Sequence, residues 1–121
     1  MIMSQTVIKG IDCLNQIIDG RRFLLVSTGL SRYPELSRVI DGHPHVCFSE
    51  FTPNPLYEQV CEGIKIFNAE GCELIVAVGG GSAIDVAKCI KLYCRMKPEE
   101  NYLTQEALDT KIPLVAIPTT A

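Results

Sequence analysis

The sequence predicts an α/β domain, a Rossmann-like parallel sheet with helices on both faces. Three observations carry that expectation. Short apolar runs alternate along the chain with segments of helical periodicity, the runs are too uniformly apolar to leave one face in water, and a triple glycine separates the most apolar run from the helical segment after it. Half-solvated strands alternate polar and apolar residues; strands covered on both faces do not.

Each element can be justified in turn. "RFLLVS" (22–27) has the length and apolar density of a buried strand and is closed by the punctuation "TGLSR". A helix fits "YPELSRVI", with Pro34 in the first turn, where no amide donor is missed. "HVCFSE" (45–50) is the next strand. After "FTPNP", Leu56, Val60, Ile64 and Phe67 recur at helical spacing, and Gly71 stands where a C-cap belongs. "ELIVAV" (73–78) is the strongest strand pattern. Residues 82–95 then place Ala83, Val86, Ala87, Ile90 and Cys94 on one helical face. "TQEALD" fits a short helix, and "PLVAIP" a last strand.

The 121 residues suit one domain, 1–121. A net charge of −3 without any basic run excludes a nucleic-acid surface. Six cysteines (Cys13, Cys47, Cys61, Cys72, Cys89 and Cys94) lack CxxC spacing and read as reduced thiols, mostly buried, which suits a reducing cytoplasm. "MIMSQTVIKGIDC" lacks the charged and apolar regions of a signal peptide, and no apolar run approaches the roughly 20 residues that cross a bilayer. No partner in the membrane is expected.

In such sheets ligands sit beyond the carboxyl ends of the strands. That directs attention to "STG", "EFTPNP", "VGGGS" and "IPTTA". Gly79, Gly80 and Gly81 follow a strand and precede a helix, where lack of Cβ atoms lets an anion approach the helix amides. Ser82 is the expected N-cap, its hydroxyl also able to reach a phosphate. A structural reading competes: Ser82 and Asp85 match a capping box, and Lys88 is spaced to pair with Asp85. Three glycines exceed what a turn alone requires. The spacing is neither G-x-G-x-x-G nor a P-loop.

"GGGSAIDVAK" resembles the signature of the iron-dependent alcohol dehydrogenase superfamily, which includes glycerol dehydrogenases and is distantly related to dehydroquinate synthases. "FTPNP", "EGCELIVAVGGGS" and "IPLVAIPTTA" follow in family order, so the resemblance covers most of the chain from about Arg22. It implies an N-terminal dinucleotide-binding domain with NAD or NADP across the strand ends. By motif match Gly80, Gly81 and Ser82 would hold the pyrophosphate and Asp85 would support that loop. Asn54 would fall near the cofactor, and Thr119 and Thr120 near its adenine and ribose. Between prolines, Asn54 is also good turn chemistry, and the threonines could simply end a strand.

Many NAD-preferring members carry an aspartate just after the first strand of the domain. Thr28 stands there instead and would not repel a 2′-phosphate, so NADP or dual use stays open; Arg32 is a candidate partner for that phosphate, although it also reads as a solvated arginine at a helix start. Relatives hold iron (or zinc) in a following helical, metal-binding catalytic domain. That domain is absent from this chain, and His43 and His45 alone do not supply a metal site. No catalytic residue or metal ligand is therefore assigned. The expected function is the NAD(P)-binding domain of an alcohol dehydrogenase-like oxidoreductase, interconverting alcohol and aldehyde or ketone once joined to its second domain. The short chain, a truncated form, is expected to be inactive alone; a homodimer is the expected assembly. Alternatives are a stand-alone nucleotide-binding module, or part of a glycerol-1-phosphate dehydrogenase-like or dehydroquinate synthase-like enzyme.

Overall fold

The computed structural model describes residues 6–7, 11–28, 30–96, 101–104 and 110–118. Its elements are β1 (Thr6–Val7), α1 (Ile11–Ile18), β2 (Phe23–Ser27), α2 (Pro34–Asp41), β3 (His45–Phe48), α3 (Tyr57–Ala69), β4 (Leu74–Gly79), α4 (Gly81–Tyr93) and β5 (Leu114–Pro118). Short 3-10 turns occupy Leu30–Arg32 and Tyr102–Thr104.

All described strand pairs are parallel, in the order β1-β5-β4-β2-β3. The apolar runs become strands because both of their faces are covered. Leu24, Val26, Ile75 and Ala77 pack against Val60, Ile64, Phe67, Val86, Ala87 and Ile90 of α3 and α4. Phe23, Leu25, Leu74, Val76 and Val78 face the other way, against Leu14 and Ile18 of α1 and Leu36 and Ile40 of α2. Every residue of β2 and β4 is buried. The period of two along a strand thus divides one apolar run between two cores.

The direction of the crossovers follows from that order. From β2 the chain steps outward to β3 through α2 on one face. It then recrosses β2 through α3 on the opposite face, and α4 carries it on to β5 on that same face. Adjacent β2 and β4 therefore send their connections in opposite directions, which defines a topological switch point.

Several expectations shift in detail. β3 ends at Phe48, because Ser49 and Glu50 are exposed and leave the ladder. Glu70 caps α3, and Gly71 follows it at φ +64°, the left-handed turn residue that ends a helix without a Cβ penalty. β1 and α1, only 2 and 8 residues long, were not predicted, since such short segments carry too little periodicity. Residues 105–109, most of the predicted "TQEALD" helix, lie outside the described residues; Thr104 ends a 3-10 turn.

Cys47, Cys61, Cys72, Cys89 and Cys94 are free thiols. Burial pushes the Cys94 thiol up to about 11, and raises Cys72, Cys89 and Cys47 as well. These groups stay protonated near neutral pH, but of the five described cysteines only Cys72 and Cys94 are buried as small apolar side chains; Cys61 and Cys89 are half-buried and Cys47 is exposed, so the thiols are not mostly buried as the sequence suggests. Lys91 is buried at 2% exposure, its Nζ donating to the Ile112 carbonyl at 2.6 Å. That bond ties α4 to the entry of β5. No helix among the described residues is long and apolar enough to cross a membrane.

Candidate functional site

The carboxyl ends of β2 and β4 lie side by side at the switch point, with Ser27 opposite Val78. β5 reaches the same edge, where Pro118 pairs with Gly79. Ser27 and Thr28 of "STG" are thereby brought beside "VGGGS", and Ile117 and Pro118 of "IPTTA" reach the same edge. Thr119 and Thr120 themselves lie outside the described residues.

The three glycines have different tasks. Gly79 has φ +149°, and a Cβ there would stand 3.1 Å from Ala83 Cβ, so both backbone and packing demand glycine. Gly80 is the N-cap of α4 in extended conformation, φ −86° and ψ −164°. Gly81 is the first helical residue, and nothing lies within 4 Å of a Cβ built on it. Structure therefore explains Gly79 fully and leaves Gly81 unexplained by packing.

Ser82 is not the N-cap that the sequence suggests. It is the second residue of α4, two positions past the N-cap and inside the helix, and the N-cap Gly80 supplies no side-chain bond. The Ser82–Asp85 capping box is therefore not formed. Ser82 Oγ donates instead to the Pro53 carbonyl at 2.6 Å. Asp85 is exposed on the second turn, and no ion pair joins it to Lys88 among the described residues.

Through the Ser82 bond, "FTPNP" reaches the glycine turn. Asn54 is exposed, and its carbonyl accepts from Thr52 Oγ1 at 2.9 Å. Gln59 Oε1 accepts from the Leu56 amide at 3.0 Å and the Thr52 amide at 3.2 Å, capping α3 and closing the turn. Sequence reasoning missed Gln59; its position three residues after the N-cap Leu56, where capping-box glutamines stand, was the available signal.

Thr28 is exposed just beyond β2, and Arg32 is exposed at the end of the following 3-10 turn. Ser27 was also missed. Its hydroxyl is buried without a hydrogen-bond partner, the one such side-chain atom among the described residues. By strand alternation it lies on the α1/α2 face with Phe23 and Leu25, so it does not point toward α4.

The histidines lie at the opposite edge of the sheet. His43 Nε2 donates to Asn15 Oδ1 at 2.6 Å, His45 Nδ1 donates to the His43 carbonyl at 2.8 Å, and the His45 ring stacks on Phe23 at 5.2 Å. No cluster of three or more metal-ligating side chains occurs among the described residues.

A parallel sheet covered on both faces, with a glycine turn at its switch point, defines a Rossmann-like α/β domain. The iron-containing alcohol dehydrogenase family model matches residues 4–121, and the chain belongs to that family. It is 41% identical over 83 residues to choline dehydrogenase of Bacillus subtilis (strain 168), covering 63% of this chain and 20% of that protein. It is 30% identical over 128 residues to NAD-dependent methanol dehydrogenase of Bacillus methanolicus, covering 99% of this chain and 34% of the relative. Sulfoacetaldehyde reductase from Bifidobacterium kashiwanohense, solved in complex with NAD+, superposes with a TM-score of 0.78 at 25% identity, covering 98% of this chain and 34% of that one. The chain thus spans between a fifth and about a third of the length of these proteins.

Proposed function

We propose that this chain is the dinucleotide-binding domain of an alcohol dehydrogenase-like oxidoreductase. It would bind NAD or NADP and serve interconversion of an alcohol and an aldehyde or ketone when joined to a helical metal-binding domain. The observation that carries the reading is the start of α4. Its first amides have no side-chain cap, the turn before them is glycine, and they open at the switch point between β2 and β4. A pyrophosphate meets that need, supplying acceptors where the helix has spare donors.

The family and the NAD-dependent relative support the same assignment. In it Gly80 and Gly81 admit the pyrophosphate to the helix amides, Gly79 and Asp85 shape and flank the turn, and Ser82 and Asn54 stand at its side. Thr28 would lie toward the adenosine ribose, with Thr119 and Thr120 as further contacts for that part of the nucleotide. With the neutral Thr28 and the nearby Arg32, a 2′-phosphate is tolerated. The metal and its chemistry would come with the second domain, and the present chain binds and orients the nucleotide. Its free thiols suit a reducing compartment such as the cytoplasm.

Calorimetric titration with NAD+ and NADP+ tests this, with Gly81→Leu as the companion. The open space at Gly81 lets the leucine fold in place while it blocks the anion's approach. Loss of binding by more than about tenfold with an unchanged melt is the expected result. Unchanged binding would overturn the reading.

A further inference from the structure

We propose that Ser82 and Gln59 form a clasp that fixes the Asn54 turn against the start of α4, making Ser82 a positioning residue rather than a phosphate donor. This rests on the dinucleotide reading above. A serine hydroxyl has one proton to give. Ser82 gives it to the Pro53 carbonyl at 2.6 Å, a short bond for a neutral pair. Phosphate oxygens are acceptors, so a hydroxyl already donating elsewhere offers them nothing.

The Pro53 carbonyl shares a peptide plane with the Asn54 amide. Ser82 therefore fixes the plane before Asn54, and Thr52 Oγ1, donating to the Asn54 carbonyl at 2.9 Å, fixes the plane after it. Gln59 anchors the turn from the α3 side through the Thr52 and Leu56 amides. Pro53 and Pro55 lock their own φ angles. The Asn54 backbone, and with it the point from which its side chain projects, thereby has a set position relative to the amides proposed to hold the pyrophosphate. The clasp sets the spacing between the phosphate end of the site and its Asn54 end.

The experiment compares Ser82→Ala, Ser82→Thr and Gln59→Leu in the 121-residue chain. Amide hydrogen exchange is followed at Thr52 and Leu56, the two amides that Gln59 Oε1 holds, and affinity is titrated with ADP and with NAD+. In S82A and Q59L exchange is expected to accelerate at both amides. NAD+ affinity should fall about fivefold, the worth of roughly one neutral hydrogen bond, while ADP affinity changes by less than about twofold. S82T, which keeps a hydroxyl, should resemble the parent. Equal loss of ADP and NAD+ binding in S82A with unchanged exchange would overturn the proposal and make Ser82 a phosphate ligand. If the parent chain binds neither nucleotide, the dinucleotide reading fails, and exchange that stays unchanged in S82A and Q59L separately overturns the clasp.

Discussion

The turn after β4 and the turn after β2 leave adjacent strands at the same edge of the sheet, yet they are secured in different ways. After β4, Gly79 takes a backbone angle closed to other residues, Ala83 packs against it, and Ser82 ties the helix start to Pro53. After β2, Ser27 is buried with an unpartnered hydroxyl and the chain passes into exposed Thr28. The first turn is specified by geometry that leaves almost no alternative. The second leaves a polar atom unsatisfied, which costs about 1–3 kcal/mol and contributes no geometric restraint. Among the described residues the backbone and hydrogen-bond constraints gather where the proposed pyrophosphate lies, while Thr28, proposed to face the ribose, follows the unpartnered Ser27.

The sharpest way to break this contrast is Gly79→Val. A β-branched residue at φ +149° with its Cβ 3.1 Å from Ala83 Cβ should cost about 3 kcal/mol, read as a shifted denaturant midpoint. A loss below about 1 kcal/mol would show that the turn has another available conformation.

Thr28→Asp probes the other turn. Its carboxylate should weaken NADP+ binding about tenfold more than NAD+ binding, measured by parallel titrations. Equal effects on both nucleotides would place the ribose elsewhere.

Ser27→Ala should stabilise the chain by about 1 kcal/mol in a urea melt, because it removes an unsatisfied hydroxyl and opens little space. Destabilisation of that size would mean the hydroxyl is paired in solution. The smallest effect belongs to Gly81→Ala. With room for its Cβ and no positive φ, the alanine should raise stability by no more than about 0.5–1 kcal/mol.

The fold was largely legible because β2 and β4 are buried along their whole length and their apolar runs have no competing period. α3 and α4 were equally readable, each 13 residues long with a repeated buried face. Part of the site was legible too: the three glycines and "FTPNP" do converge. What sequence patterns could not show was where hydrogen bonds go. Ser82 and Asp85 have the spacing of a capping box, but Gly80 takes the N-cap, and Ser82 turns to a carbonyl 29 residues earlier in the chain. A local pattern cannot reveal a distant acceptor. Ser27 was overlooked for the opposite reason, since its significance lies in a bond it does not make.

The buried Nζ of Lys91, donating to the Ile112 carbonyl, gives the chain an internal reporter of its own integrity. Amine-directed acylation of the native chain should mark Lys65, whose side chain is 77% exposed, and spare Lys91. Label on Lys91 would then record the moment at which α4 and the start of β5 have parted.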